Sequence, residues 1–339
     1  MSSAGRCGTR VDRYLVERLI GVGAFGSVYQ ARHARTDVKV ALKILKSELM
    51  TDSATLERFM REAKTAAAVG DEHVVGVLDA EVTADSVAFI AMELLDGDDL
   101  KTLARRDKPM HPARVIHLMA QVLDGLAAAH DKGIVHRDMK PANIFVVRKL
   151  DARGQEYEFA KLLDFGISKM DGPRANPLTL AGATLGTPNY MAWEQFFDAR
   201  QVDARTDIYA IAVILYELLG GRKPYEGDGL PELMQKVRLG GAAALRSLAP
   251  SLPVPLCAVI EKALATKPER RWSTAREFAT ALRSAADFTG KPPPLAQRVK
   301  ILEVIMTRED PEVSSETLVS GIKPRPLDDS DANTIDKTR

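Results

Sequence analysis

Several short segments carry residue types whose spacing can do chemistry. The first is Gly21-Val22-Gly23-Ala24-Phe25-Gly26-Ser27-Val28. Glycines let a backbone approach phosphate oxygens closely and offer its N–H groups. The same spacing serves dinucleotide-binding turns, where a helix follows at once, and ordinary hairpins. Here Ser27 to Ala31 continues as a strand, so the segment reads as a hairpin flap over nucleotide phosphates. The second is Val40-Ala41-Leu42-Lys43, a cation on an apolar strand. Facing inward it can hold phosphate oxygens; at a strand end it can instead snorkel to water. An inward lysine needs a counter-charge, for which Glu62 is the candidate and Glu57 the rival.

The third segment, His136-Arg137-Asp138-Met139-Lys140-Pro141-Ala142-Asn143, is the most specific. An exposed Asp138 can act as general base on an attacking hydroxyl. Lys140, two residues on in an extended loop, faces the same side and can neutralise a transferring phosphoryl group. Asn143 offers an amide oxygen, a hard ligand suited to magnesium. Asp164-Phe165-Gly166 adds a second oxygen ligand at the end of the strand Ala160 to Leu163. Either triplet alone is also an ordinary polar turn.

These residues must be positioned by two kinds of element. Tyr14 to Ile20, Ser27 to Arg32, Val38 to Leu45, Val74 to Asp79 and Val87 to Leu94 read as strands. One helix, Ser53 to Val69, interrupts them. Beyond Asp96 the pattern turns helical: Pro112 to Asp131, Arg205 to Leu219, Leu256 to Leu264 and Ser273 to Ala285, the last capped by Ser273 or Thr274 with Glu277 behind it. A small β-rich lobe thus precedes a larger α-rich lobe, with a hinge near Glu93 to Gly97. After about Ala286 come Pro292, Pro293 and Pro294, an extended linker. Leu295, Val299, Leu302 and Met306 then fall at helical spacing. From Asp310 the chain reads as a disordered tail.

Composition narrows the partners. The chain has 339 residues, long enough for about two cores. Lys+Arg is 47 and Asp+Glu 46, a net charge of +1. No basic excess points to nucleic acid or an anionic membrane, so any anion must be held by a local site. Cys7 and Cys257 cannot build a disulfide framework, which fits a reducing cytoplasm. Met1 to Arg10 lacks the apolar core of a signal peptide. No apolar run approaches the ~18 residues of a membrane span. His130 and His136 do not combine with other ligands at zinc spacing; His136 reads as loop scaffold and His130 as a cation near a helix end.

Taken together and in this order, the glycine hairpin, V-A-L-K, H-R-D-x-K-x-x-N and D-F-G resemble a bacterial eukaryotic-like (Hanks-type) Ser/Thr protein kinase. The resemblance covers roughly Tyr14 to Ala285. It implies an α+β, bilobal protein-kinase-like fold with a flexible C-terminal tail. The kinase domain would run over 14–285, with an N-lobe of about 14–94 and a C-lobe of about 96–285; residues 286–339 would hold the linker, short amphipathic helix and tail. Gly21, Val22, Gly23, Gly26 and Val28 would cover ATP, and Lys43 would contact its phosphates while pairing with Glu62. Ala41 and Leu95 would sandwich adenine, the backbone of Glu93 and Leu95 would make hinge contacts, and Met92 would be the gatekeeper. Asp138 would be the base beside Lys140, with Asn143 and Asp164 holding Mg2+. Thr187, within Gly186-Thr187-Pro188-Asn189-Tyr190, would bridge Asp138 and Lys140. Arg137 implies a basic pocket for an activation-loop phosphate, with Thr179 and Thr184 the nearest hydroxyls. Glu194 would pair with Arg271, and Asp207 would anchor the catalytic-loop backbone.

Three departures stand out. The usual Ala-Pro-Glu reads Ala192-Trp193-Glu194, which should relax the backbone and requires room for an indole. Phe145 to Asp164 is long for the family and reads as an extended hairpin pointing away from nucleotide. Ala212 replaces a common helix glycine. The activity implied is transfer of the γ-phosphoryl group of ATP to Ser/Thr hydroxyls of proteins, including autophosphorylation through a transient homodimer. A pseudokinase-type binding scaffold is the alternative, resting on Trp193. A small-molecule kinase fits less well, because it has no need of the peptide platform Gly186 to Glu194.

Overall fold

The computed structural model describes residues 6–165, 188–196 and 202–286. The chain divides into two units, Met1–Pro293 and Pro294–Arg339; the second lies outside the described residues, as do the segment Leu295 to Met306 and the tail.

The first lobe is one antiparallel sheet. Its strands are β1 (Arg10–Val11), β2 (Tyr14–Val22), β3 (Gly26–His33), β4 (Lys39–Leu45), β5 (Val77–Val82) and β6 (Ala88–Glu93), in the order β1-β2-β3-β4-β6-β5. Alternation along β3, β4 and β6 puts Tyr29, Ala31, Val40, Leu42, Ile44, Phe89 and Ala91 on one face, where they form a buried cluster. On the opposite face Lys43 stands between Val28 and Ile90, and Ala41 stands beside Met92. Helix α1 (Ser53–Val69) packs Phe59 and Ala63 against Leu45, Ala88 and Ile90. Asp52 caps it by accepting from the Ala54 N–H, and Gly70 closes it in the left-handed region at φ 58°.

The expected strand Val74 to Asp79 is shifted. Val74 makes only an isolated bridge to Leu162, and pairing with β6 begins at Val77. The reason is that the Val75 N–H donates to the Leu162 carbonyl and the Leu162 N–H to the His73 carbonyl, which ties this segment to β9 of the second lobe before it joins β6.

The second lobe opens with a small sheet of β7 (Gly97–Asp99), β8 (Ile144–Leu150) and β9 (Glu156–Leu162). Gly97 is required there: a Cβ would collide with the Val146 carbonyl oxygen. β8 and β9 form the long hairpin expected from the sequence, its turn closed by Asp151 Oδ1 accepting from the Arg153 and Gln155 N–H groups. The helices are α2 (Leu100–Arg106), α3 (Pro112–His130), α4 (Arg205–Gly220), α5 (Leu230–Leu239), α6 (Leu245–Leu248), α7 (Val254–Ala263) and α8 (Ala275–Ala285). Their core joins Leu123 and Leu126 of α3, Ile211 and Leu215 of α4, and Phe278 and Leu282 of α8. α4 is apolar almost all round, so it sits at the centre, Ala212 included. Thr274, not Ser273, caps α8, while Glu277 reaches back to the Ser273 N–H. Among the described residues no helix is long and apolar enough to cross a membrane.

Candidate active site

The glycine segment is a hairpin between β2 and β3, closed by the Gly23 N–H donating to the Gly26 carbonyl at 2.8 Å. Gly26 is fixed by packing, since a Cβ would strike the Ile44 carbonyl oxygen across the ladder. At Gly21 and Gly23 a Cβ would meet only ordinary contacts, so packing within the hairpin does not demand glycine there.

Lys43 resolves the choice of partner. Its Nζ lies 2.6 Å from Glu62 Oε1, whereas Glu57 pairs with Arg61 on the outer face of α1. The same Nζ lies 2.9 Å from Asp164 Oδ1, so one ammonium joins the sheet, α1 and the end of β9. Burial works against the charge on Lys43, but the Asp164 and Glu62 carboxylates outweigh it and raise its pKa. Burial also pushes the Glu62 carboxyl up to about 7, with Lys43 opposing and Asp164 assisting. Asp164 goes the other way: desolvation is outweighed by the charge and hydrogen bond of Lys43. The Glu62 carboxyl thus takes up a proton more readily than that of Asp164.

The catalytic-loop candidates converge beside this cluster. Lys140 Nζ lies 2.8 Å from Asp138 Oδ2. Asn143 Nδ2 donates to the Asp138 carbonyl at 2.8 Å. Asp138 is less exposed than the sequence suggested, its side chain only 13% accessible. His136 Nε2 donates to the Leu163 carbonyl, and the Leu163 N–H donates to the Asn143 carbonyl. Those two bonds tie the loop bearing Asp138 to the one bearing Asp164.

Asp207, at the start of α4 and 1% exposed, accepts from the His136 and Arg137 N–H groups at 2.8 Å each. His130 Nε2 lies 2.8 Å from the same carboxylate. His130, the last residue of α3, is therefore a buried partner of Asp207 as well as a basic side chain at that helix end. Desolvation acts upward on Asp207, but His130 and His136 outweigh it and hold its pKa below the ordinary range. Arg137 stands at φ 66°, a left-handed conformation that non-glycine residues adopt at a cost.

Arg271 makes a fork with Glu194 at 2.6 and 3.0 Å, and its side chain is fully buried. Trp193 finds its room half-buried at the start of a 3-10 turn, Trp193–Phe196, with the Arg238 guanidinium 5.9 Å over its ring. Thr179, Thr184 and Thr187 lie outside the described residues. Met92, Glu93 and Leu95 are half-buried along the hinge, and Ala41 is buried.

Magnesium fits the donors present. Asn143 has committed its Nδ2 to Asp138, which leaves Oδ1 as an acceptor, and Asp164 is a half-exposed carboxylate. A pair of hard oxygens completed by substrate phosphates is how Mg2+ is commonly held. Among the described residues no group of three or more His, Cys, Asp and Glu forms a separate metal cluster.

Sequence reasoning missed three ties. Glu93 Oε1 accepts from Lys161 Nζ at 2.6 Å and from the Gly76 N–H at 2.7 Å, so the hinge side chain is pinned to β9. Arg114 forks onto buried Glu158 at 2.7 and 2.8 Å, fastening the long hairpin to α3. Gln195 bridges the Ala192 N–H and the Arg137 carbonyl. Only the charged residues inside the apolar stretch of β9 hinted at any of them.

Comparison with known proteins follows the same pattern. A family model described as the protein kinase domain matches residues 14–282. Serine/threonine-protein kinase pkn3 of Myxococcus xanthus is 43% identical over 221 residues, covering 64% of this chain and 39% of that protein. Serine/threonine-protein kinase Pkn1 of the same organism is 38% identical over 278 residues, covering 82% and 39%. Serine/threonine-protein kinase PknB of Mycobacterium tuberculosis is 33% identical over 339 residues, covering 97% and 50%. The chain thus spans half or less of the length of these relatives. Among solved structures, the PknI kinase domain of Mycobacterium tuberculosis superposes with a TM-score of 0.63 at 29% identity, covering 82% of this chain and 98% of that one.

Proposed function

The chain belongs to the protein kinase family, and on that premise we propose that it transfers the γ-phosphoryl group of ATP to Ser and Thr hydroxyls of proteins. The observation that carries this reading is the Lys43 ammonium held between Glu62 and Asp164. A cation so held stays charged and aimed, which phosphoryl transfer needs more than it needs covalent chemistry.

In this reading Gly21, Val22, Gly23, Gly26 and Val28 cover ATP. Ala41 and Leu95 enclose adenine, Met92 borders it, and the Glu93 and Leu95 backbone reads its edge. Asp138 accepts the proton of the attacking hydroxyl, and Lys140, 2.8 Å from it, offsets charge on the transferring group. Asn143 and Asp164 would hold Mg2+, which neutralises phosphate charge when bound. Glu194, Arg271 and Asp207 hold the frame, and Thr187 serves the peptide site. Complete polar machinery argues for turnover over a binding scaffold. The catalytic unit proposed is 14–285, with lobes of about 14–94 and 96–285. Autophosphorylation at Thr179 or Thr184 through a transient homodimer is part of the proposal. So is a cytoplasmic setting, where ATP is supplied and free thiols such as Cys7 and Cys257 persist.

The test is phosphosite mapping by mass spectrometry after incubation with Mg-ATP and a generic protein substrate. Phosphate on Ser and Thr, in the chain and in the substrate, is expected. Phosphate confined to Tyr, or none on any protein, overturns the reading.

A further inference from the structure

Arg137 immediately precedes Asp138, the proposed base. Its left-handed backbone, φ 66°, is unfavourable for an arginine and persists only where neighbours over-determine it. Two side chains do so from opposite ends of the residue. Asp207 Oδ1 accepts from its N–H at 2.8 Å. Gln195 Nε2 donates to its carbonyl at 2.9 Å.

Gln195 is buried, 8% exposed, and both ends of its amide are used. Oε1 accepts from the Ala192 N–H at 3.0 Å while Nε2 serves Arg137. An N–H donor on one side and a carbonyl acceptor on the other admit one amide orientation only. Glu194, the residue before it, is fixed by Arg271, so the amide projects from an anchored backbone. Arg137, Asp138, Gln195, Tyr190, Thr206 and Asp207 line one small cavity of about 10 Å3, large enough for one water.

We propose that Gln195 is a positioning residue for phosphoryl transfer: its amide locks the left-handed backbone of Arg137 and thereby aims Asp138, joining the Ala192 backbone to the catalytic loop. The inference rests on the phosphotransferase reading above. It makes the conformation of the segment ending at Phe196 a direct input to the base, independent of any phosphate bound by Arg137.

The lock has a chemical signature. In Gln195→Glu an ionised carboxylate still accepts from Ala192 but presents a lone pair to the Arg137 carbonyl. Once protonated, its O–H donates to that carbonyl and restores the bridge. The charged groups lining the cavity are Arg137, Asp138 and Asp207, and Tyr190 is its titratable hydroxyl. Burial and the two carboxylates favour the protonated form, with Arg137 opposing.

The experiment compares kcat and KM for ATP of wild type, Gln195→Glu and Gln195→Met across pH, as ratios to wild type. Expected for Gln195→Glu is a kcat at least about tenfold down at high pH, recovering as pH falls, with KM within about twofold. Gln195→Met, of similar volume, should be about tenfold down at every pH. A pH-independent loss in Gln195→Glu, or wild-type kcat in Gln195→Met, overturns the proposal. Should Gln195→Glu fail to fold, Gln195→Met decides alone by its kcat. An inactive wild type refutes the phosphotransferase reading itself, a different outcome from an active wild type with indifferent variants.

Discussion

Glu93 Oε1 lies 2.6 Å from Lys161 Nζ, and through that bond the strand entering the hinge is tied to the strand leading to Asp164. Lys161 is buried at 8% exposure, while the Glu93 side chain is 34% exposed. Water screens the carboxylate, so the pair sits nearer the surface value than the buried one. A double-mutant cycle of Lys161→Met and Glu93→Gln in urea unfolding should give a coupling of about 1 kcal/mol. A coupling of zero would mean the bond does not hold the hinge.

The fork between Arg271 and Glu194 is a stronger case. Arg271 is fully buried and also donates to the carbonyls of Ala265, Thr266 and Arg205. Arg271→Met should destabilise by about 3–5 kcal/mol, because it leaves Glu194 without its cation. Arg271→Lys should recover little, since an ammonium cannot reproduce a planar fork. Chemical denaturation reads both; a loss under about 1 kcal/mol in Arg271→Met would contradict this.

Glu62 predicts a pH dependence in metal-free buffer. Its folded pKa, raised to about 7 from 4.5, means the native state holds a proton that the unfolded chain releases. That contribution is full below about 4.5 and is lost as pH rises through about 7. Wild type should therefore lose stability relative to Glu62→Gln between about pH 5 and about pH 8, by on the order of 1–3 kcal/mol. Parallel stability curves for the two proteins would show that Glu62 does not titrate in this range.

What was legible in the sequence is what neighbours along the chain decide. The glycine hairpin, the strand placing Lys43, and the loop from His136 to Asn143 are local, so residue type and spacing reveal them. The long β8–β9 hairpin was also visible, from the length of the stretch Phe145 to Asp164. Other ties join residues far apart and of ordinary type: Lys161 to Glu93, Arg114 to Glu158, Gln195 to Arg137, His130 to Asp207. Each depends on two elements meeting, which no periodicity encodes. His130 is an example: its place at the end of α3 was legible, but its contact with the buried Asp207 carboxylate comes from the packing of α3 against α4. The start of β5 slipped for a related reason, because Val74 to Gly76 are held by backbone bonds to Leu162 and Glu93 rather than by their own propensity.

The central claim is that Asp138 takes the proton of the attacking hydroxyl. It is tested most directly by the rate of phosphate transfer from Mg-ATP by wild type and Asp138→Asn, with nucleotide binding measured alongside by calorimetry. The account predicts a rate at least about a hundredfold lower in Asp138→Asn with nucleotide affinity within about threefold. Undiminished transfer in Asp138→Asn would contradict it.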